Sequence, residues 1–267
     1  MTPAEILDRE LADMAATLRG KGEPFAIATV IRTIGATAAK PGAKALLLAD
    51  GTIAQGWIGG GCVRGALSRA AQRAMDDGTP QVISLHPEDI LNEKGVSAGQ
   101  DVNGVQFARN GCPSKGSMDI FVEPVLPQPE LVILGASPVA GALADLTGRF
   151  HWTVTPNPEG TPLRPTATRR MIVVASQGKS DIACLTAALK AEAEFIAFVG
   201  SRRKFAALRG KLIEQGFTPD RLDAVQAPAG LAIDAVTPDE IALSILAQLT
   251  AKRRARQRDT TEETPCD

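Results

Sequence analysis

The chain of 267 residues is long enough for one large domain or two ordinary ones, and 44% of its residues are hydrophobic, as in typical globular proteins. Its formal net charge of −1 argues against a dedicated nucleic-acid binder. No apolar run approaches the roughly 20 residues that span a bilayer, and the N-terminus lacks the apolar core of a secretory signal. We therefore expect a cytoplasmic protein with no membrane span and with reduced thiols.

The first half of the chain, residues 1–126, predicts an N-terminal α+β domain. A helical pattern precedes the strand patterns FAIATVIRT, AKALLLAD and TIAQGWI, and Asp50-Gly51 predicts a tight hairpin between the last two. A helix is predicted over residues 63–75, followed by the strand QVISLH. Residues 87–116 are polar and glycine-rich and predict a long loop, after which the strand SMDIFVEPV leads to a linker at Val125–Glu130.

The second half, residues 127–252, alternates apolar strand patterns with helical patterns. The strands are LVILG, HWTVT, MIVVAS and FIAFVG, and the last helix is PDEIALSILAQLTAKRR. This alternation predicts a C-terminal Rossmann-like domain, in which helices cover both faces of a doubly wound parallel sheet. Residues 253–267 are charged and lose the periodicity, so we expect a disordered tail. The chain as a whole is predicted to be an α/β protein.

The segment LVILGASPVAG places Gly135, Ser137 and Ala140 at the positions of a dinucleotide-binding fingerprint, after a strand and before a helix. Two features argue against tight NAD binding. Ser137 carries a side chain where the backbone must approach a pyrophosphate, and residues 154–157 lack the carboxylate that would hold a ribose hydroxyl. Two interpretations therefore stay open: simple strand-to-helix packing, or binding of a nucleotide-like ligand at Gly135 and Ser137.

A second candidate site is the segment FVGSRRKFAALRG, in which a strand ends and Ser201 is a good N-cap for the next helix. The helix begins with Arg202, Arg203 and Lys204, and free amides beside these cations favour a phosphate. Arginine at a helix N-terminus opposes the macrodipole, which makes a compensating anion attractive. The alternative is a capped surface helix whose basic residues face solvent.

Two of the four cysteines lie in glycine-rich loops near a cation. Gly59, Gly60, Gly61 and Cys62 come at the start of a helix that favours a phosphate or a thiolate. Residues 110–116, NGCPSKG, place Cys112 near Ser114 and Lys115 just before a strand. Each cysteine alone is also compatible with a small buried apolar residue. Cys184 is predicted to lie in the core and Cys266 in the tail.

Histidine chemistry is disfavoured by composition. The chain has only two histidines, His86 and His151, and neither lies in a recognisable catalytic motif. A Ser-His-Asp or Cys-His hydrolase would have to use one of them, and a zinc site is equally difficult to build. The usual hydrolase classes are therefore poor candidates.

Residues 25–254 contain several segments in the order found in one family. The segments resemble the XdhC/CoxI family, which pairs an N-terminal domain with a Rossmann-like domain. They are GWIGGGCVRGAL, NGCPSKGSMDIFVEP, LVILGASPVAGAL, FVGSRRKFAALRGKL and APAGLAIDAVTPDEIALSILAQL. The chain resembles a divergent member, because the family often has a glutamate where this chain has Arg64 and Cys-Gly-Gly where it has Cys112-Pro113-Ser114.

The resemblance implies a function. Members of this family are maturation factors that bind the molybdenum cofactor, protect it during sulfuration and deliver it to molybdenum hydroxylases such as xanthine dehydrogenase, aldehyde oxidoreductase or carbon monoxide dehydrogenase. For this chain it implies that Gly59–Gly61 and Ser201–Lys204 hold phosphates of the molybdopterin or of its cytosine dinucleotide form. Cys62 and Cys112 would approach molybdenum or its exchangeable sulfur, because thiolates suit soft metal–sulfur chemistry. Lys115, beside Ser114, would neutralise charge.

The implied protein is a cofactor chaperone rather than an enzyme with catalytic residues of its own. Its partners would be an apo molybdenum hydroxylase, a cysteine desulfurase or cofactor nucleotidyltransferase, and a second copy in a homodimer, with no nucleic acid. Two other functions stay open: an NAD(P)-linked oxidoreductase built on the Rossmann half, and an assembly scaffold that binds no cofactor.

Overall fold

The computed structural model describes residues 8–166 and 168–258, and the chain divides into two compact units, Met1–Pro127 and Gln128–Asp267. The first unit is built around a mixed seven-stranded sheet. Its strands are β1 Phe25–Ile34, β2 Lys44–Leu48, β3 Ile53–Gly56, β4 Gln81–His86, β5 Asp101–Val102, β6 Val105–Arg109 and β7 Ser117–Val125. Its helices are α1 Asp8–Lys21, α2 Gly61–Asp77 and α3 Glu88–Glu93.

The strand order of this sheet is β3-β2-β1-β7-β4-β6-β5, and all neighbours are antiparallel except β4 and β6. The predicted hairpin at Asp50-Gly51 is confirmed, since it joins β2 to β3 and Gly51 has a φ of 80°. Asp50 Oδ1 accepts hydrogen bonds from both the amide and the hydroxyl of Thr52, which stabilises the turn.

Helices cover parts of both faces of this sheet. An apolar stripe along α2, which includes Leu67, Ala70 and Ala74, packs on the central strands β1, β7 and β4. Small alanine side chains let the helix approach the sheet closely. On the opposite face, Leu11 and Leu18 of α1 pack against Phe25 and other side chains of β1 and β2.

The prediction of one long loop over residues 87–116 is wrong. This segment contains α3, β5 and β6, and β6 pairs in parallel with β4. The hairpin between β5 and β6 turns at Asn103-Gly104, where both residues have positive φ, 52° and 75°. An Asn-Gly pair is a strong hairpin signal, so the sequence contained the information for this turn.

The second unit is a five-stranded, all-parallel sheet with helices on both faces. Its strands are β8 Glu130–Leu134, β9 Thr153–Asn157, β10 Arg170–Val174, β11 Phe195–Phe198 and β12 Val225–Gln226, in the order β12-β11-β10-β8-β9. Its helices are α4 Pro138–Thr147, α5 Asp181–Lys190, α6 Arg202–Glu214, α7 Pro219–Asp223 and α8 Pro238–Arg258. The predicted doubly wound parallel sheet is confirmed.

Two hydrophobic layers fix this arrangement. Side chains of α4 and α8, such as Leu143 and Leu249, pack on one face of the sheet, and side chains of α5, α6 and α7, such as Leu185 and Leu212, pack on the other. Successive strands are added on one side of β8 as far as β9 and on its other side from β10 onward, and ligands bind at such a switch point in folds of this kind.

The end of α8 differs from the prediction of a disordered tail from residue 253. Residues 253–258 continue the helix. The Arg253 guanidinium donates to the Phe150 carbonyl at 2.9 Å and lies over the Trp152 ring, 4.9 Å from its centroid. These contacts to the turn before β9 extend the helix beyond the apolar periodicity. Residues 259–267, with the predicted tail residue Cys266, lie outside the described part of the chain.

Candidate functional site

The N-terminal sheet brings the two predicted cysteine loops to the same end. β1, β3, β4 and β6 run in one direction and finish at this end, where β7 begins. The Gly59–Gly61 loop follows β3, and residues 110–116 connect β6 to β7. We call this the loop end of the sheet. Because α2 begins directly after this glycine loop, the N-terminus of the helix lies at the loop end as well.

The Gly59–Gly61 loop leaves the start of α2 without a side-chain cap. Gly59 has a φ of 130°, which favours glycine, and the N-cap residue Gly60 has no side chain to accept a hydrogen bond from the first turn. A Cβ atom added at Gly60 or Gly61 would meet no atom within 4 Å, and the first turn contains no acidic residue. The partial positive charge of this helix end is therefore not neutralised from within the helix.

Cys62 lies in the first turn of α2. The Cys62 side chain is not among those that the structure describes, so the predicted role of its thiol stays a prediction.

Cys112 is a free, exposed thiol held within a structured loop. The hydroxyl of Ser114 donates to its sulfur at 3.3 Å, and this hydrogen bond lowers the pKa of the Cys112 thiol below its usual value. The amide of Cys112 donates to Asn110 Oδ1 at 3.1 Å. The thiolate, which is the form that binds metals and reacts with sulfur, is thus favoured at this position.

Lys115 and Gly116 fix the same loop against the end of β1. Lys115 has a φ of 50° and forms a backbone bridge with Ala36, while its ammonium lies 3.0 Å from Asp89 Oδ2. A Cβ atom at Gly116 would lie 2.3 Å from the Ala36 carbonyl oxygen, so only glycine fits there. Both charged side chains are exposed, so the Lys115 cation stays accessible to a competing anion.

A buried polar cluster, which the sequence analysis did not predict, adjoins this loop. His86, Ser84 and Asp119 are hydrogen-bonded side chains on adjacent strands, together with Ser117 at the start of β7. Burial lowers the pKa of His86, which favours the neutral imidazole. The signal in the sequence was the polar alternation at every second residue, Ser84 and His86 in one strand and Ser117 and Asp119 in the other.

The fingerprint turn of the second unit uses its own polar groups for packing. A Cβ atom at Gly135 would lie 2.6 Å from the Ala175 carbonyl oxygen, which makes glycine necessary where this turn meets the end of β10. The amide of Ser137 donates to the same carbonyl at 3.2 Å, and the Ser137 hydroxyl accepts from the Ala140 amide as the N-cap of α4. These contacts agree with the packing interpretation of Gly135 and Ser137.

The start of α6 is also capped. The Ser201 hydroxyl accepts from the Lys204 amide at 3.2 Å, as its N-cap position predicted. The ammonium of Lys204 lies 2.7 Å from Asp181 Oδ2 and over the Phe198 ring. Arg202 and Arg203 are exposed, and within residues 8–166 and 168–258 neither forms an ion pair. Of the three predicted cations, Lys204 thus has a partner within the protein.

The partner of Lys204, Asp181, is held in place by further hydrogen bonds. The carboxylate is buried and accepts hydrogen bonds from the Ser176 hydroxyl at 2.5 Å and the Gly178 amide at 3.0 Å, in addition to the contact with Lys204. Burial alone would raise the pKa of Asp181, and the hydrogen bonds from Lys204, Ser176 and Gly178 outweigh burial, so this pKa lies below its usual value. The donors that could bind an anion here, Lys204, Ser176 and Gly178, are therefore already bound to the protein's own carboxylate.

Three further features bear on the predicted sites. Cys184 is buried in α5 and packs among apolar side chains, as predicted. Among the side chains that the structure describes, no three His, Cys, Asp or Glu residues are placed to hold a metal ion. In the described part of the chain, no helix combines the length and the hydropathy needed to cross a membrane.

Comparison with known proteins agrees with this architecture. The family model described as "XdhC and CoxI family" matches residues 18–86, and the model described as "XdhC Rossmann domain" matches residues 131–249. The chain belongs to the XdhC and CoxI family. The first match includes the Gly59–Gly61 loop and ends at His86, while the Cys112 loop lies between the two matches.

Individual relatives share little sequence identity with this chain. Uncharacterized protein YqeB of Escherichia coli K12 is 26% identical over 263 residues, which cover 88% of this chain and 44% of YqeB, so the chain spans less than half of that relative. A solved structure described as a xanthine dehydrogenase from Bacillus halodurans is 20% identical, with a TM-score of 0.41 over 93% of this chain and 97% of that chain. A similarity of this size carries no argument about function.

Proposed function

We propose that this protein is a maturation factor for a molybdenum hydroxylase, which binds the molybdenum cofactor and delivers it to the apo-enzyme. Membership in the XdhC and CoxI family supports the association with molybdenum hydroxylases. The observation that carries the cofactor site is the common position of the Gly59–Gly61 loop and the Cys112 loop at the loop end of the N-terminal sheet.

The chemistry of the loop end fits the two parts of this cofactor. Phosphate groups of its tail would bind the uncapped N-terminus of α2 at Gly59–Gly61, where no side chain covers the amides. When bound, the cofactor would supply a molybdenum ion held by dithiolene sulfur, and the exposed Cys112 thiol with its lowered pKa suits such soft chemistry. Cys62 would approach the same group from the first turn of α2, and Lys115 would neutralise charge.

Taken by itself, the second unit has fewer free donors than its fingerprint suggests. Arg202 and Arg203, which form no ion pair in the described part of the chain, would be its own candidates for binding a phosphate, whereas Ser137, Ser201 and Lys204 already have partners within the protein. An NAD(P)-linked oxidoreductase would need the donors at Gly135 and Ser137, and these are used for packing. The maturation function is therefore the better supported of the two.

The decisive experiment is anaerobic incubation of the full chain with molybdenum cofactor, with and without the cytosine nucleotide, followed by gel filtration and assay of retained molybdenum and pterin. We expect stoichiometric retention by the wild type and a loss of at least about tenfold for Cys62→Ser and Cys112→Ser together, because thiolate contacts to a soft metal dominate affinity. The matched control is Cys266→Ser, outside both loops, which should retain the cofactor as the wild type does.

One result would overturn the assigned site, and two would overturn the proposed function. Retention that is unchanged in the double variant would remove the cysteines from the site. Absence of retention by folded wild type, combined with a thermal shift on titration with NAD or NADP, would favour the oxidoreductase. Absence of retention combined with stable binding of an apo molybdenum hydroxylase would favour a cofactor-free scaffold.

A further inference from the structure

A chain of hydrogen bonds runs through the N-terminal sheet from its surface to the Cys112 loop. Arg32 Nε donates to Asp119 Oδ2 at 2.7 Å, and Asp119 Oδ1 accepts from the Ser84 hydroxyl at 2.5 Å. The Ser84 hydroxyl oxygen lies 2.8 Å from His86 Nε2, and His86 Nδ1 lies 2.8 Å from the Ser117 hydroxyl oxygen. All but Arg32 are between 3% and 9% exposed. A network buried to this degree is costly unless every member is paired.

The direction of the protons in this chain follows from the donors and acceptors. An ionised carboxylate only accepts, so Ser84 uses its single hydroxyl proton on Asp119 and must accept from His86 Nε2–H. In a neutral imidazole the other nitrogen is then an acceptor, so the Ser117 hydroxyl donates to His86 Nδ1. The Arg32–Asp119–Ser84 part therefore selects one tautomer of His86.

His86 contacts both ends of the Cys112 loop. Its backbone carbonyl accepts from the Asn110 amide at 2.7 Å, where the chain leaves β6, and its imidazole accepts from Ser117, where the chain enters β7. The ring also stacks on Phe107, with centroids 6.1 Å apart and planes 22° apart. One residue thus joins the two stems of residues 110–116, and in the tautomer that Ser84 selects its ring does so by accepting from the Ser117 hydroxyl.

We infer that His86 is the positioning residue of the Cys112 loop, and that Asp119 and Ser84 act through its imidazole to hold Ser117 and with it the exit stem of the loop. The positioning itself requires only the geometry of the chain. Its consequence for cofactor binding rests on the function proposed above, because Cys112 can meet a ligand at the loop end only while residues 110–116 keep their conformation.

The test is amide hydrogen exchange of the full chain, measured by mass spectrometry on peptides that cover residues 110–116. We expect exchange in this loop to accelerate about fivefold in Ser117→Ala, the factor that corresponds to loss of one buried hydrogen bond. Peptides from α2 serve as the internal control and should exchange at the wild-type rate. Ser114→Ala, which changes an exposed hydroxyl of the same loop, is the matched control and should leave the stems unchanged.

Two replacements of His86 separate positioning from simple filling of space. The amide oxygen of His86→Asn can lie near the place of Nδ1 and accept from Ser117, whereas the amide of His86→Gln reaches the place of Nε2 and contacts Ser84 instead. We therefore expect His86→Asn to keep more of the loop's protection than His86→Gln, although glutamine fills more of the volume. Equal protection in both, or better protection in His86→Gln, would overturn the inference.

Ser117→Ala keeps the inference testable if both His86 variants fail to fold. Wild-type exchange of residues 110–116 in folded Ser117→Ala would also overturn it. The exchange measurement uses no cofactor, so failure of the retention experiment leaves this result interpretable, and a loss of protection without wild-type cofactor retention would disprove only the proposed function.

Discussion

Two helices at the carboxyl end of the C-terminal sheet, α4 and α6, have capped N-termini, whereas α2 at the loop end of the N-terminal sheet does not. In the second unit Ser137 caps α4 and Ser201 caps α6, and each side chain accepts a hydrogen bond from an amide of the first turn. In the first unit the N-cap residue of α2 is Gly60, which has no side chain to accept such a bond. The segment with the familiar fingerprint therefore uses its donors for its own packing, and the glycine loop leaves the start of α2 without a side-chain cap.

The same contrast holds for the charged groups. Asp181 is buried against Lys204, so that ion pair belongs to the structure of the second unit. Asp89 and Lys115 form an exposed pair beside Cys112, and exposed pairs contribute little to stability. The comparison indicates that the exposed charged pair at the first end contributes little to stability, while the buried pair at the second end stabilises the fold.

The largest expected effect comes from Gly135→Ala. Its φ of 107° and the backbone of Ala175 and Ser176 within 2.7 Å of an added Cβ atom should destabilise the second unit by about 3 kcal/mol. Gly61→Ala is the matched change at the loop end, where the added Cβ meets no atom, and it should alter the free energy of unfolding by less than about 0.5 kcal/mol. Thermal and urea denaturation measure both. Equal destabilisation by the two variants would remove the contrast between the ends.

Asp181→Asn should have the next largest effect. Loss of the buried charge on which Lys204, Ser176 and Gly178 converge should lower the free energy of unfolding by about 2 kcal/mol at pH 7. Since the folded-state pKa lies below the ordinary value of 3.8, this contribution is complete above pH 3.8 and is lost as the pH falls through the folded-state pKa. The control is Asp89→Asn in the exposed pair, which should unfold like the wild type in the same urea titration.

His86 makes the stability of the first unit depend on pH. Its pKa in the folded protein is lowered from 6.5 by burial first and by Lys94 second, against the opposite influence of Asp119. The unfolded chain therefore gains a proton as the pH falls through 6.5, whereas the folded chain gains it only at a lower pH, and the free energy of unfolding declines between the two. Urea titrations from about pH 7.5 to about pH 5.5 should show this decline in the wild type and in His151→Gln. A decline that persists unchanged in His86→Gln would contradict the assignment.

The smallest effect concerns the reactivity of Cys112. Ser114→Ala removes the hydroxyl that lowers the pKa of the thiol, so the pKa should rise toward its usual value and the thiolate fraction near pH 7 should fall. Iodoacetamide should then alkylate Cys112 more slowly, as peptide mapping would show, and Ser114→Thr should restore the rate because it keeps a hydroxyl. A rate that is the same in all three proteins would mean that Ser114 does not tune this cysteine.

Local signals in the sequence predicted much of this architecture. The Asp50-Gly51 hairpin and the parallel sheet of the second unit follow from turn chemistry and from alternating strand and helix patterns. The Asn103-Gly104 hairpin carries an equally local signal and was missed inside a polar, glycine-rich segment. The extension of α8 through residue 258 carries no such signal, because Arg253 depends on Phe150 and Trp152, about a hundred residues away.

By itself, the sequence determined the two-part organisation into an α+β and a parallel α/β half, the family, and the two cysteine loops as candidates, since each depends on residues close together along the chain. Only the tertiary structure decided that both loops lie at one end of a sheet, that Ser137 and Lys204 already have partners, and that His86 joins the stems of the Cys112 loop. The physical reason is that strand pairing sets which distant residues meet. Whether a donor is free or already paired depends on those neighbours.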